Sequence, residues 1–132
     1  MDRERSWPDL VREFHEKFKV KTPITTKEEL ELQLGLITEE ISELKAATYE
    51  ELYVVRKVKD IDSIKALDAI CDAVYVLIGL AEKLGMDIDG AFREVHRSNM
   101  TKLGAKGQPL YRKDGKIMKG ANYTAPNLYP YV

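Results

Sequence analysis

A chain of 132 residues, 33% of them charged and with a net charge of only −1, is most simply one domain, large enough to bury a core. Charge so evenly balanced supplies no overall field for nucleic acid or a membrane surface, so neither is expected as a partner. The single cysteine, Cys71, lies in an apolar run, which fits a packing role in a reducing compartment. Met1-Asp2-Arg3-Glu4-Arg5 has no signal-peptide pattern, which makes the cytoplasm the expected location.

Residues 1–6 are expected to fray. Trp7-Pro8 is a good helix entry, since proline suits the first helical position. Leu10, Val11, Phe14 and Phe18 follow at helical spacing and predict a first helix over 8–19. Its His15 reads as a surface or packing histidine and not as a ligand. Thr26-Lys27-Glu28-Glu29 has the form of a capping box and opens a second helix, 26–47. Its expected core stripe is Leu30, Leu34, Ile37, Ile41 and Leu44, flanked by Leu32 and Leu36. Glu39, Glu40 and Glu43 then fall on the flank of that stripe, where a solvated charged face does not belong.

Residues 48–60 read as a short helix or an extended connection. Asp60-Ile61-Asp62-Ser63 offers caps for a long helix that ends at Gly85. Its segment 69–81 is apolar on nearly every side, the pattern of a buried helix, and too short to span a bilayer. Asp72 lies within that segment and Asp68 one turn earlier on the same face. Asp87 to Gly90 caps a further helix that carries Phe92, Val95, His96 and Met100 and reaches Gly104. Beyond it, glycines and prolines forbid long helices, and Asp114-Gly115 marks a hairpin tip. The tyrosines of this tail favour its lying over a body surface. The expected architecture is all-α, a bundle of four to five helices over about 8–104 with an irregular basic tail over 105–132, in a single domain.

Glu39, Glu40 and Glu43 on one helix, with Asp68 and Asp72 on the next long one, bring four or five carboxylates to one cleft if the two faces meet. Such a cluster repels itself at neutral pH unless a hard cation binds it, and all-oxygen ligation suits Mg²⁺ or Mn²⁺. The alternative is that these acids are solvated or paired with lysines and arginines. The apolar setting of Asp72 and the flank position of Glu39 and Glu43 favour the cation. A Mg²⁺ site built from a few carboxylates usually works on phosphates. The basic stretch 93–119 supplies the complementary half: Arg93, Arg97, Lys102, Arg112, Lys113, Lys116 and Lys119 bring positive charge, and Asn99 a neutral hydrogen-bonding amide.

Glu39-Glu40-Ile41-Ser42-Glu43 followed by Asp68-Ala69-Ile70-Cys71-Asp72 resembles the all-α nucleoside triphosphate pyrophosphohydrolases, which include MazG-like enzymes, phosphoribosyl-ATP pyrophosphohydrolases and dimeric all-α dUTPases. The later strings 92–102, 114–120 and Tyr123-x-x-Pro126 are similar to a MazG-like branch. The pattern departs in one respect: the second acidic pair is spaced i, i+4 where the superfamily has ExxD, which leaves the standing of Asp68 open. The resemblance implies Mg²⁺-dependent hydrolysis of a nucleoside triphosphate to monophosphate and pyrophosphate. It implies Glu39, Glu43 and Asp72 as metal ligands, joined by Asp68. Glu40, the one acid of the trio angled away from the Glu39/Glu43 pair, is the candidate to orient or deprotonate the attacking water. Arg97, Asn99, Lys102, Lys116, Lys119 and Tyr123 would hold phosphates, sugar or base. It also implies a homodimer or homotetramer. A phosphoribosyl-ATP pyrophosphohydrolase and a non-catalytic helical interaction protein are the rival readings.

Overall fold

The computed structural model describes residues 4–132. It is all-α, as the sequence implies, with four long helices: α1 (Trp7–Lys17), α2 (Lys27–Ala47), α4 (Ser63–Lys83) and α5 (Ile88–Met100), plus a single-turn α3 (Leu52–Val55). Among the described residues the β-type pairing is one isolated bridge, Tyr111 to Ile117. No helix among them is long and apolar enough to cross a membrane. The fray expected over residues 1–6 lies half outside the described residues. Within them, Ser6 caps α1: its hydroxyl accepts from the Asp9 N–H (3.2 Å) while Asp9 accepts from the Ser6 N–H (3.1 Å), a complete capping box.

The chain forms two compact units, one ending at Gly85 and one beginning at Met86. Helix α5 groups with the tail, whereas the sequence reading places α5 in the helical core of a single domain, over about 8–104, with the tail lying over a body surface.

In the first unit α4 packs on α2 and α1. Thr26 caps α2 by accepting from the Glu29 N–H at 3.1 Å. The side chain of Glu29 is engaged by Lys21 at 2.9 Å, so only half of the expected box forms there. Asp62 caps α4 by accepting from the N–H groups of Ile64 and Lys65, and Gly85 closes it at φ +72, a conformation that favours glycine.

The packing face of α2 differs from the predicted stripe. The more buried positions are Leu30, Gln33, Ile37, Glu40, Leu44 and Ala47, spaced alternately by three and four residues as in a helix-packing seam. Leu34, Leu36 and Ile41 are exposed, and Leu32 is 69% exposed. Two polar residues, Gln33 and Glu40, occupy seam positions, and an apolar count cannot see them. Gln33 is satisfied there: its Nε2 donates to the Val76 carbonyl at 2.9 Å and its Oε1 accepts from Lys83 Nζ. His15 of α1 is buried beside this amide, against Gly79 of α4, where a Cβ would stand 3.3 Å from Gln33 Nε2 and 3.5 Å from His15 Nε2.

Helix α4 is not buried all round, contrary to its composition. Ala69, Ala73, Ile78 and Ala81 are buried, whereas Leu67, Ile70 and Leu77 are exposed and Ile64 is 79% exposed. Cys71 is exposed too, so it has no packing role within this chain, and Asp72 is accessible, not buried. The run of apolar residues records a helix with two coverable faces, of which this chain covers one.

In the second unit Asp87 caps α5 by accepting from the Gly90 N–H at 3.0 Å. The tail is ordered along α5. The Tyr131 carbonyl accepts from Asp87 N–H at 2.8 Å, and the Tyr131 ring lies so close to Gly90 that a Cβ there would come within 2.5 Å of it. The expected hairpin forms: Arg112 N–H donates to Lys116 O at 2.7 Å, with Gly115 at φ +88.

Candidate metal centre

Glu40 and Glu43 are three residues apart on α2, so both carboxylates lie on the side turned to α4. Asp72 of α4 meets them. One carboxylate oxygen from each of Glu40, Glu43 and Asp72 lies within 4.8 Å of the other two. Glu40 is the most enclosed member. Its Oε2 is shielded from solvent and has no hydrogen-bond partner. Burial first, then the charges of Glu43 and Asp72, push its carboxyl above the usual range. A shielded carboxylate oxygen without a donor is costly. Beside two more carboxylates, what would satisfy it is a cation or a proton.

Among the described residues this is the group of acids and other metal-ligating side chains close enough to share an ion. The donor set, three carboxylates with no sulfur or imidazole, fits Mg²⁺ or Mn²⁺. The membership differs from the sequence expectation in a specific way. Glu43 and Asp72 come together as expected. Glu40, expected to act on water, stands in the group, while Glu39 and Asp68 stand outside it. The seam explains this, because the face of α2 that carries Gln33 and Ile37 returns at Glu40, and Glu39 is turned away from it. The spacing of the polar Gln33 and Glu40, seven residues apart and in phase with Leu30, Ile37 and Leu44, is the signal that would have found it.

The residues expected to bind substrate lie in the second unit. Asn99 is exposed and Lys102 half-buried on or just after α5. Lys119 Nζ sits 4.6 Å from the Tyr123 ring centroid, a cation–π pair, and Lys116 is exposed in the hairpin. Arg97 is already engaged. Its Nε and one terminal nitrogen meet Glu94 at 2.6 and 3.0 Å, and its other terminal nitrogen meets Thr124 Oγ1 at 2.9 Å. Arg97 holds the Glu94 carboxyl down to about 2, helped by the Asn127 N–H.

No curated protein matches the chain. The sequence pattern of the phosphoribosyl-ATP pyrophosphohydrolase family matches residues 10–99, a span that includes α2, α4 and all three clustered acids. With most of its length so matched, the chain belongs to the phosphoribosyl-ATP pyrophosphohydrolase family, within the all-α nucleoside triphosphate pyrophosphohydrolase superfamily, and is a pyrophosphohydrolase.

Proposed function

We propose that the protein hydrolyses a nucleoside triphosphate to the monophosphate and pyrophosphate, dependent on Mg²⁺ or Mn²⁺, in the disposal of surplus or non-standard nucleotides in the cytoplasm. The observation that carries this reading is the shielded, unpartnered Glu40 oxygen facing Glu43 and Asp72. Glu40, Glu43 and Asp72 would hold the cation. Glu39, next to the group on α2, and Asp68, one turn before Asp72 on α4, would act on the water or on the ion's outer shell. A bound cation neutralises phosphate charge and acidifies a bound water. Lys102, Lys116 and Lys119 would supply phosphate point charges, Asn99 hydrogen bonds to phosphate or sugar, and Tyr123 a face for the base. The working form is a homodimer or homotetramer. The exposed apolar residues support this, notably Ile64 and Leu67 of α4 together with Tyr53 and Val54 of α3, more than a solitary chain normally leaves open.

The family match itself favours a second reading, the same reaction on phosphoribosyl-ATP. The Asp114 to Pro126 strings that carry the MazG-like resemblance lie beyond the matched residues, which supports the first. Product analysis separates them. The protein with Mg²⁺ is offered deoxynucleoside and ribonucleoside triphosphates, oxidised and methylated forms, and phosphoribosyl-ATP, with D72N as control. Monophosphate with pyrophosphate, lost in the control, is expected. Diphosphate with phosphate would show a different bond to be broken. Inertness towards all of them would favour a helical interaction protein.

A further inference from the structure

The second unit contains a polar seam that the proposed chemistry leaves unused. Tail residues 120–127 are fastened to α5 and the turn after it by hydrogen bonds. At one end Gly120 N–H donates to the Lys102 carbonyl at 3.0 Å. In the middle the buried Ser98 Oγ donates to the Thr124 carbonyl at 2.7 Å, and Thr124 N–H donates to Thr101 Oγ1 at 2.9 Å. At the other end Asn127 N–H donates to Glu94 Oε2 at 2.6 Å. Glu94 and Arg97 join these attachments. The guanidinium grips Glu94 through two nitrogens and turns its remaining edge to the tail, reaching Thr124 Oγ1 and, at 3.4 Å, the Ala125 carbonyl. Arginine has five N–H donors. Four are spent here, all on Glu94 or the tail.

We infer that Glu94 and Arg97 form a clasp that positions the tail segment bearing Lys119 and Tyr123, and that Arg97 is a positioning residue, not a phosphate ligand. The inference rests on the proposed role of Lys119 and Tyr123 in holding the nucleotide. A phosphate approaching Arg97 meets a guanidinium already matched to a carboxylate in the bidentate geometry a phosphate would need. Glu94, at 13% side-chain exposure, would face that phosphate as a like charge. The clasp instead acts at a distance: it fixes residues 124–127, and with Gly120 pinned at the other end, Tyr123 and its partner Lys119 are held in one arrangement before substrate arrives.

The test compares E94Q, R97M, the double variant and T124V, which removes one tail contact without touching either charge. Hydrogen exchange at the Thr124 and Asn127 amides is read first, then KM and kcat on the best triphosphate. A clasp predicts faster exchange in every variant and a KM raised roughly tenfold in E94Q and R97M alike, from losing charged hydrogen bonds. It also predicts kcat little changed and a double variant no worse than either single. T124V shifts in the same direction by less and stands in if a charge variant does not fold. If R97M raises KM while E94Q leaves it unchanged or lowers it, the guanidinium freed from Glu94 is binding phosphate and the inference falls. Unchanged exchange in all four variants also overturns it. If the native protein turns over no nucleotide, the proposed reaction fails and takes the substrate-positioning role with it. Exchange then still decides, separately, whether the clasp exists.

Discussion

The two units are held together by opposite means. The first is helix on helix, with α4 fitted to α2 and α1 through small residues such as Ala69, Ala73 and Gly79. Its polar seam positions are exceptions, one satisfied (Gln33) and one not (Glu40). The second is a helix with a glycine- and proline-rich strap fastened along it by Ser98, Thr101, Glu94 and Arg97. In the first unit an unsatisfied polar group is therefore a sign of chemistry, because the surrounding packing does not need it. In the second, a charged side chain is first a fastener, and a functional reading of it has to allow for that.

The sharpest way to break this contrast is D72N. If the three acids serve a cation, the variant should lose more than about 100-fold in turnover, since even groups behind a metal ligand typically cost ~10–100-fold. It should also melt no lower than the native protein in chelator, because it removes a repelling charge from Glu40 and Glu43. A lower melting temperature in chelator would make Asp72 structural and the contrast wrong. Mg²⁺ itself should stabilise the native protein by about 2.7 kcal/mol at a hundred times its Kd, and D72N by much less, measured as melting temperature against Mg²⁺ concentration.

The second unit's counterpart is G120A. A Cβ at Gly120 would overlap the Leu103 carbonyl oxygen, which is backbone and cannot swing aside. Overpacking of this kind costs about 1–3 kcal/mol. The loss should fall on tail docking, read as faster proteolysis within 120–127, while α2 and α4 keep their exchange protection. A global loss of protection would show the tail to be integral to the first unit's stability.

What the sequence disclosed follows the same division. Local signals read correctly: Thr26 and Asp87 as caps, a cap within Asp60–Ser63 that the structure places at Asp62, Gly85 as a stop and Asp114-Gly115 as a turn, because each depends on a few neighbouring residues. The acids of α2 and α4 were legible as a set, but their membership was not. That depends on which face of α2 is buried, and Gln33 and Glu40 disguise the face by being polar within it. The apolarity of α4 was read as complete burial. Composition states that a face needs cover and does not state whether the same chain supplies it. Arg97 was read by its charge alone, although Glu94 stands three residues before it on the same helix, at a spacing that pairs side chains. That partner is visible in the sequence.

A pH titration separates the units more gently. Glu94 lies at about 2 in the folded chain against an ordinary 4.5, with Arg97 and the Asn127 N–H as the groups facing it. Its contribution is therefore complete above pH 4.5 and is lost as pH falls towards 2. Tail amides should lose exchange protection through that window, and in E94Q the loss should already be present at neutral pH.

The smallest expected effect lies in the first unit, at His15. Burial, and then the charge of Lys83, lower its pKa below the ordinary 6.5, with Glu82 opposing. A histidine whose folded pKa is depressed binds its proton more readily in the unfolded chain. It therefore favours folding above pH 6.5 and withdraws that support as pH falls below it. The imidazole resonances should titrate below 6.5 in the folded protein, and the pH dependence of stability between 5 and 7 should flatten in H15Q. A His15 that titrates at or above 6.5 would mean that the charged ring has found an acceptor, and the loss of stability expected below pH 6.5 would then be absent.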